Sequence, residues 1–404
     1  MAANNEAVIV GAVRTPVGRR NGILSGWHPV DLLGATIAEL VQRAAIDPAL
    51  IEDVIAGCVL QFEQQTGNLG RHAVLAAGLP ETVPAVTVDR QCGSGQQAVS
   101  FAAQAVMAGT HDLVIACGVE SMSQVPMPPS MTPGAPLGPQ YSPRELARYD
   151  GGLMAQGLSS ELMNKQFGFT RAELDEFGIR SHERAATATA AGRFREQLVP
   201  IHADPADDTS PLVDRDEGIR AEQDPAKVAA LRTVFAEDGM TTAGNSSQLS
   251  DGAAALLIAS REFAEEHGLR PRARFRALAV AADDPIVQFT AILRASHTAL
   301  RRSGLEASDI DLFEVNEAFA GVPLMFQREF DVPDDKLNVN GGSVAIGHPL
   351  GSTGARMLTD LLCELERRGD RFGLQTVCEA TGTANATIIA VSYTHLRAHE
   401  TRHD

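Results

Sequence analysis

The chain has 404 residues, of which 44% are hydrophobic and 21% charged, and its formal net charge is -17. That length exceeds one ordinary core and the balance suits a globular protein of about two to three domains. The acidic balance argues against a nucleic-acid binder, which would carry a basic patch, and no run of about 18 apolar residues marks a membrane helix.

The start reads as alternating strand and helix. "AVIVGAVRTP" is an apolar strand run closed by Arg14, Thr15 and Pro16. "HPVDLLGATIAELVQRAAI" has helical periodicity with Asp31 in its first turn, "IEDVIAGCVL" returns to strand, "NLGRHAVLAAGLP" to helix, and "AVTVDRQ" to strand. Such alternation predicts a mostly parallel sheet covered by helices. Next comes Cys92 in "CGSG", at the junction of a strand and a helix that the pattern starts near Ser94. The ordinary reading of a free cysteine is a small buried hydrophobe. A helix N-terminus, however, offers unpaired N–H groups and a dipole that favour a thiolate.

Past residue 121 the composition changes. "PMPPSMTPGAPLGPQYSP" is proline-rich, "TRAELDEFGIRSHERAATATAAG" is helical with Thr170 and Glu173 spaced as a capping box, and "HADPADDTSPLVDRDEGIRAEQDP" is polar and turn-rich. This reads as an insertion carrying ligand contacts. Beyond it the opening pattern repeats. "KLNVNGG" is read as strand, followed by a glycine-rich turn, the helix "GARMLTDLLCELERRG" and the strand "FGLQTVCEATG". Two similar halves are therefore expected, with the Cys92 and His348 turns brought close.

The second turn, "NVNGGSVAIGHPLGSTGAR", holds five glycines but no P-loop lysine, and it sets His348 between Gly347 and Pro349, where it can serve as base toward a thiol. Asn316 in "EVNEAFAG" reads either as the cap of the helix "EAFAGVPLMF" or as a donor orienting water or an oxyanion. Cys378 ends an apolar strand much as Cys58 and Cys117 do, and alone reads as a core residue. Five dispersed cysteines without a CxxC pair disfavour a zinc site or a disulfide framework and suit a reducing cytosol. With no basic-then-apolar start, a cytoplasmic protein is expected.

Together "CGSG", "NEAFA", "GHPLGSTG" and "CEATG" have the order and spacing of the thiolases, and "VRTPVG", "GVESMS", "DEGIR" and "AGNSSQLSDGAAA" extend the resemblance over residues 6–389. The resemblance implies an α/β fold, a five-layer αβαβα sandwich of two similar halves with an inserted loop domain. The division expected is 1–120 for the N-terminal half, completed by 245–268, then 121–244 for the loop domain and 269–390 for the C-terminal half. It implies reversible Claisen condensation or thiolysis of a 3-oxoacyl-CoA, as in fatty-acid β-oxidation. Coenzyme A and acyl-CoA are then substrates, with no covalent cofactor and no metal, in a homodimer or homotetramer. Carried over, Cys92 takes the acyl group, His348 activates it and forms an oxyanion hole with a water held by Asn316, and Cys378 is the acid/base. The N–H groups of Cys92 and Ala380 form a second oxyanion hole, and Arg220, Ser247 and Phe319 hold coenzyme A.

The match has gaps. Ala380 and Thr381 stand where the family is glycine-rich, and a positive φ at position 380 would strain alanine and misaim its N–H. "LMAQGLSSEL" lacks the histidine of the acetoacetyl-specific branch, which leaves medium-chain or branched substrates at least as well matched. Residues 391–404 read as a non-native tail, although His395, His399 and His403 recur every four residues. Competing readings are a cysteine hydrolase built on Cys92, His348 and Asn316, a ketoacyl synthase, and a non-catalytic acyl-CoA binder.

Overall fold

The computed structural model describes residues 5–128, 138 and 140–391. The strands form one mixed sheet rather than the mostly parallel one expected, in the order Ala85–Val88, Asp53–Gly57, Leu113–Ser121, Ser250–Ser260, Ala7–Arg14, Ala273–Ala282, Thr383–Val391, Phe372–Glu379, Leu312–Val315. The two halves of this order mirror each other. In each, a parallel pair (53–57 with 113–121, 312–315 with 372–379) is followed by two antiparallel neighbours. The halves join where Val8 and Ile9 pair with Arg274 and Ala273. The expected duplication is thus present in the strand connectivity.

Helices complete five layers. Pro29–Ala44 and Leu69–Ala76 cover the outer face of the first half, and Ala291–Ser303 and Gly321–Phe330 that of the second. Ser94–Met107 and Leu350–Arg368 lie between the halves and touch both. Alternation along the strands sorts the core accordingly. Leu257 and Ala259 face Leu33 and Ile37, whereas Leu256 and Ile258 face Val99, Ala103, Leu358 and Leu362 of the middle layer.

The two middle helices meet almost backbone to backbone at their N-terminal ends. A Cβ on Gly95 would lie 2.7 Å from the Gly351 carbonyl oxygen, and one on Gly354 would lie 2.2 Å from the Gln96 nitrogen. Only glycine permits this approach, and it draws the turns carrying Cys92 and His348 to one place.

The halves differ in one strand. "KLNVNGG" was expected as the counterpart of 85–88, but it makes only a single parallel bridge, Phe313 with Leu337. Asn338, at φ 44, turns the chain away. Its side-chain amide then supplies the missing ladder, accepting from Val315 N at 2.8 Å and donating to Val315 O at 2.9 Å. The chain between 121 and 250 holds Gln156–Gln166, Arg171–Ala190 with the Thr170–Glu173 capping box, and the hairpin Ile201–His202 with Leu212–Val213. Most of the proline-rich stretch, and residues 392–404 with their three histidines, lie outside the described residues. Val391, assigned to the tail above, closes the last strand by pairing with Ala273.

Candidate active site

Cys92 sits in a strained turn ahead of the Ser94–Met107 helix. Gln91 adopts φ 49. The Ser94 hydroxyl locks the turn, accepting from Arg90 N at 2.9 Å and donating to Gln91 O at 2.6 Å. The cysteine is 6% exposed and packs against Met357 and Val377. Burial first, then the nearby Cys378 and Glu379, hold its thiol well above the ordinary range. The standing thiolate expected from the helix N-terminus is therefore not the resting form, because desolvation outweighs the dipole.

His348 is held from three sides. Its N–H donates to Gln248 O and the Ser250 hydroxyl, both at 3.1 Å. Gln248 clamps the preceding turn by donating to the carbonyls of Val344 and Ala345. The ring Nδ1 is 2.7 Å from the Thr353 hydroxyl, which itself donates to Pro349 O at 2.9 Å. A hydroxyl whose proton is committed can only accept, so Nδ1 carries the ring proton and Nε2 presents a lone pair. Nε2 is buried and without a protein partner. Desolvation, with the Arg356 charge second, lowers the imidazole pKa to about 3, so the ring is a neutral base.

Asn316 is not a helix cap. The helix after it begins at Gly321 with Ala320 as its cap residue. Instead the Ser343 hydroxyl donates to Asn316 Oδ1 at 2.6 Å, which fixes the amide orientation and leaves Nδ2 buried with only the Cys378 thiol before it. That nitrogen faces Cys378, whose thiol burial pushes up to about 12. Cys378, on the penultimate residue of its strand, packs with Phe319 and Phe289 on the face opposite Val377. The structure thus sets the Cys92 and Cys378 thiols near each other and Asn316 beside Cys378, with the turn of the neutral His348 drawn alongside by the close approach of the two helix starts, all four groups buried. That combination can move a proton off one sulfur, stabilise an oxyanion and exchange a proton at a neighbouring carbon.

The three expected coenzyme A positions divide. Ser247 and Phe319 are neighbours, because Ser247 N donates to Ala318 O at 3.0 Å and Ser246 bridges Phe319. Phe319 is packed edge-on against Phe235 and Phe289, with ring centroids 5.8 and 5.5 Å away. Arg220 stands apart, exposed, its N–H donating to His182 Nδ1 at 3.0 Å. At the fourth motif the strain falls elsewhere than expected. Ala380 has no positive φ, and Thr381 takes φ 60 and ψ 22. A β-branched residue is rare there. Its N–H is captured by Gln288 Oε1 at 3.1 Å.

The thiolase N-terminal domain family model matches residues 7–262, and the thiolase C-terminal domain model matches 269–391. The chain belongs to the thiolase family. It is 46% identical over 392 residues to the steroid 3-ketoacyl-CoA thiolase FadA6 of Mycobacterium tuberculosis, covering 96% of this chain and 95% of that protein. It is 40% identical to the 3-ketoacyl-CoA thiolase of Bacillus subtilis, covering 95% and 98%. Among solved structures it resembles the Bacillus anthracis acetyl-CoA acetyltransferase at TM-score 0.88 and 36% identity, covering 97% of this chain and all of that one. The human mitochondrial 3-ketoacyl-CoA thiolase follows at TM-score 0.87 and 32% identity, with the same coverage.

Several residues that shape this thiolase site escaped sequence reasoning. Thr353 lies five residues after His348 within "GHPLGSTG", across the start of the Leu350–Arg368 helix, so no helical spacing announces their contact. Glu120 accepts from the N–H groups of Val59, Leu60 and Gly351 and from Gln65 Nε2, pinning the start of the helix that follows His348 to the loop after the Asp53–Gly57 strand. Arg14, fully buried, pairs with Asp216 at 2.8 Å and Asp360 at 3.0 Å, and Arg356 carries the chain of contacts on to Ser343. Asp216, Asp360 and Ser343 come from separate stretches of chain, so no local pattern announces the network.

Proposed function

We propose that the protein catalyses reversible acyl transfer between 3-oxoacyl-CoA and coenzyme A through an acyl-Cys92 intermediate. The observation that carries this reading is the pair of buried atoms, an unpartnered His348 Nε2 and an Asn316 Nδ2 turned to Cys378, in a site with two cysteines. In thiolysis His348 Nε2 takes the Cys92 proton as the sulfur attacks the 3-oxo carbon. The carbon–carbon bond breaks, and the departing enolate takes a proton from the Cys378 thiol to give acetyl-CoA. The incoming coenzyme A thiol returns a proton to Cys378 and attacks the acyl-Cys92 carbonyl. Cys92 leaves and recovers its proton from His348. The Asn316 amide, through a water, and the N–H groups of Cys92 and Ala380 serve the two oxyanions.

Ser247 and Phe319 are assigned to the pantetheine arm and Arg220 to the nucleotide end, on their positions beside and beyond the site. Without the acetoacetyl-branch histidine, we assign a 3-oxoacyl substrate longer than acetoacetyl. The loop domain, 121–244, is taken as the part that holds coenzyme A. We also infer a homodimer or homotetramer. Among the described residues the Ala85–Val88 strand pairs on one side only, Val86 is 42% exposed and Phe101 of the adjoining helix is 41% exposed. A reducing cytosol is the compartment we infer, and its support is the five cysteines without a disulfide among the described residues.

Incubation with an acyl-CoA is expected to add one acyl group to Cys92, read by peptide mass spectrometry, with release to coenzyme A rather than to water. Release to water alone identifies a hydrolase. An adduct on Cys378 reverses the two sulfur roles. A thiolysis panel over chain length fixes the substrate.

A further inference from the structure

Glu379 is a carboxyl inside this site that the acyl-transfer scheme does not use. It is fully buried at the end of the Phe372–Glu379 strand, and alternation points it to the face of Val377, against Cys92, while Cys378 points to the other. Its carboxyl lies on the nucleophile's turn so closely that a Cβ on Gly93 would sit 2.0 Å from Oε1. The Thr383 hydroxyl, directly across the hairpin, donates to Oε2 at 2.5 Å. Oε1 has no partner. The charged and titratable groups around it are Cys92 and Asp89 and Arg90 before it, and Cys378 on its own strand. None of them forms an ion pair with it.

An unpaired carboxylate in such a place is costly, and an acid with one oxygen accepting from a hydroxyl is not. Burial raises its pKa to about 8, while the Thr383 hydroxyl acts in the opposite sense. The negative charge that grows on the Cys92 sulfur and on the oxyanion develops next to this group, in a medium where like charges repel strongly.

We propose that Glu379 is a positioning residue for Cys92 that works as the neutral acid, and that its ionisation opposes charge development at Cys92 and so sets the alkaline limit of acyl transfer. The proposal rests on the acyl-Cys92 reading above. In the protonated form the carboxyl fills the space over Gly93 and holds the turn. In the ionised form it adds a charge beside both thiols and raises the barrier to forming either thiolate.

The test is the pH profile of kcat/KM for thiolysis in wild type, Glu379→Gln and Thr383→Val. Wild type is expected to lose rate as pH rises through about 8. In Glu379→Gln the ratio of kcat/KM at pH 9 to that at pH 7 should rise about tenfold over wild type, the effect of a nearby charge removed. In Thr383→Val the alkaline limb should move to higher pH, since the hydroxyl that favours the carboxylate is gone. Alkylation of Cys92 by iodoacetamide, mapped by mass spectrometry, gives the same comparison without turnover, and Glu379→Gln should react faster than wild type above about pH 8. Superimposable profiles for the three proteins overturn the proposal. If Glu379→Gln does not fold, Thr383→Val and wild type decide it. Absence of an acyl adduct in wild type removes the thiolase reading, while the alkylation profiles still report on Glu379.

Discussion

Cys117 and Cys378 occupy corresponding strands of the two halves, each parallel to one neighbour and antiparallel to the next. In sequence both are cysteines near the end of an apolar run. In the fold they part. Cys117 lies mid-strand, opposite Ala255 and Ala56, within the outer core of the first half, and burial alone raises its thiol. Cys378 lies at the strand end, where the sheet opens toward Asn316 and the Cys92 turn. A duplicated scaffold thus makes two equivalent cysteines into a packing group and a site group, and the difference is only how far along the strand each stands.

The sharpest way to break this comparison is to truncate both. Cys378→Ala is expected to lower thiolysis by about 10²–10⁴-fold, the ordinary loss of a general acid–base, while acyl loading of Cys92 from acyl-CoA persists in mass spectrometry. Cys117→Ala should keep turnover and lose about 1 kcal/mol of stability in a urea melt. Comparable turnover in the two variants would erase the distinction.

The comparison between the Cys92 and His348 turns is sharpened by Thr353→Val. Without the acceptor for Nδ1–H the imidazole loses its fixed tautomer, and kcat should fall about 10–100-fold, with little change in KM. The pH dependence supplies a second check. The His348 pKa falls from 6.5 to about 3 on folding. The sign follows directly. The stability tied to the neutral ring is complete above 6.5 and is lost as pH falls toward 3. No histidine limb should therefore cross the kcat/KM profile above about pH 5, and urea melts should weaken below about pH 6.5 unless His348 is replaced by Asn. The smallest effects are expected at the last turn. Thr381→Gly should relieve the positive φ and raise stability by about 1 kcal/mol, whereas Ala380→Gly relieves nothing. A larger gain at 380 than at 381 in thermal melts would place the strain where sequence reasoning first put it.

By itself the sequence determined the elements and their duplication. Apolar runs marked the strands at 7–14, 53–57, 85–88 and 372–379, periodicity marked helices such as 29–44 and 171–190, and the glycine clusters marked the turns that carry Cys92 and His348, while the strand 273–282 and the helix 291–303 went unread. Cys92 and His348 stood out locally, as a cysteine at a helix start and a histidine locked between Gly347 and Pro349, whereas Asn316 and Cys378 drew attention only through the resemblance to the thiolases. What only the tertiary structure decided is the state of those groups. Burial, which no local pattern reports, turned Cys92 from the expected thiolate into a thiol and His348 into a neutral base. Asn338 replaced an expected strand with its own side chain, because a single amide satisfied the Val315 N–H and C=O. Partners that fix the site come from distant stretches, Ser343 for Asn316 and Glu120 for Gly351, while Thr353 for His348 and Thr383 for Glu379 are near in sequence but meet only through the fold. Desolvation and long-range hydrogen bonding depend on everything that surrounds a residue, and that surrounding exists only once the chain has folded.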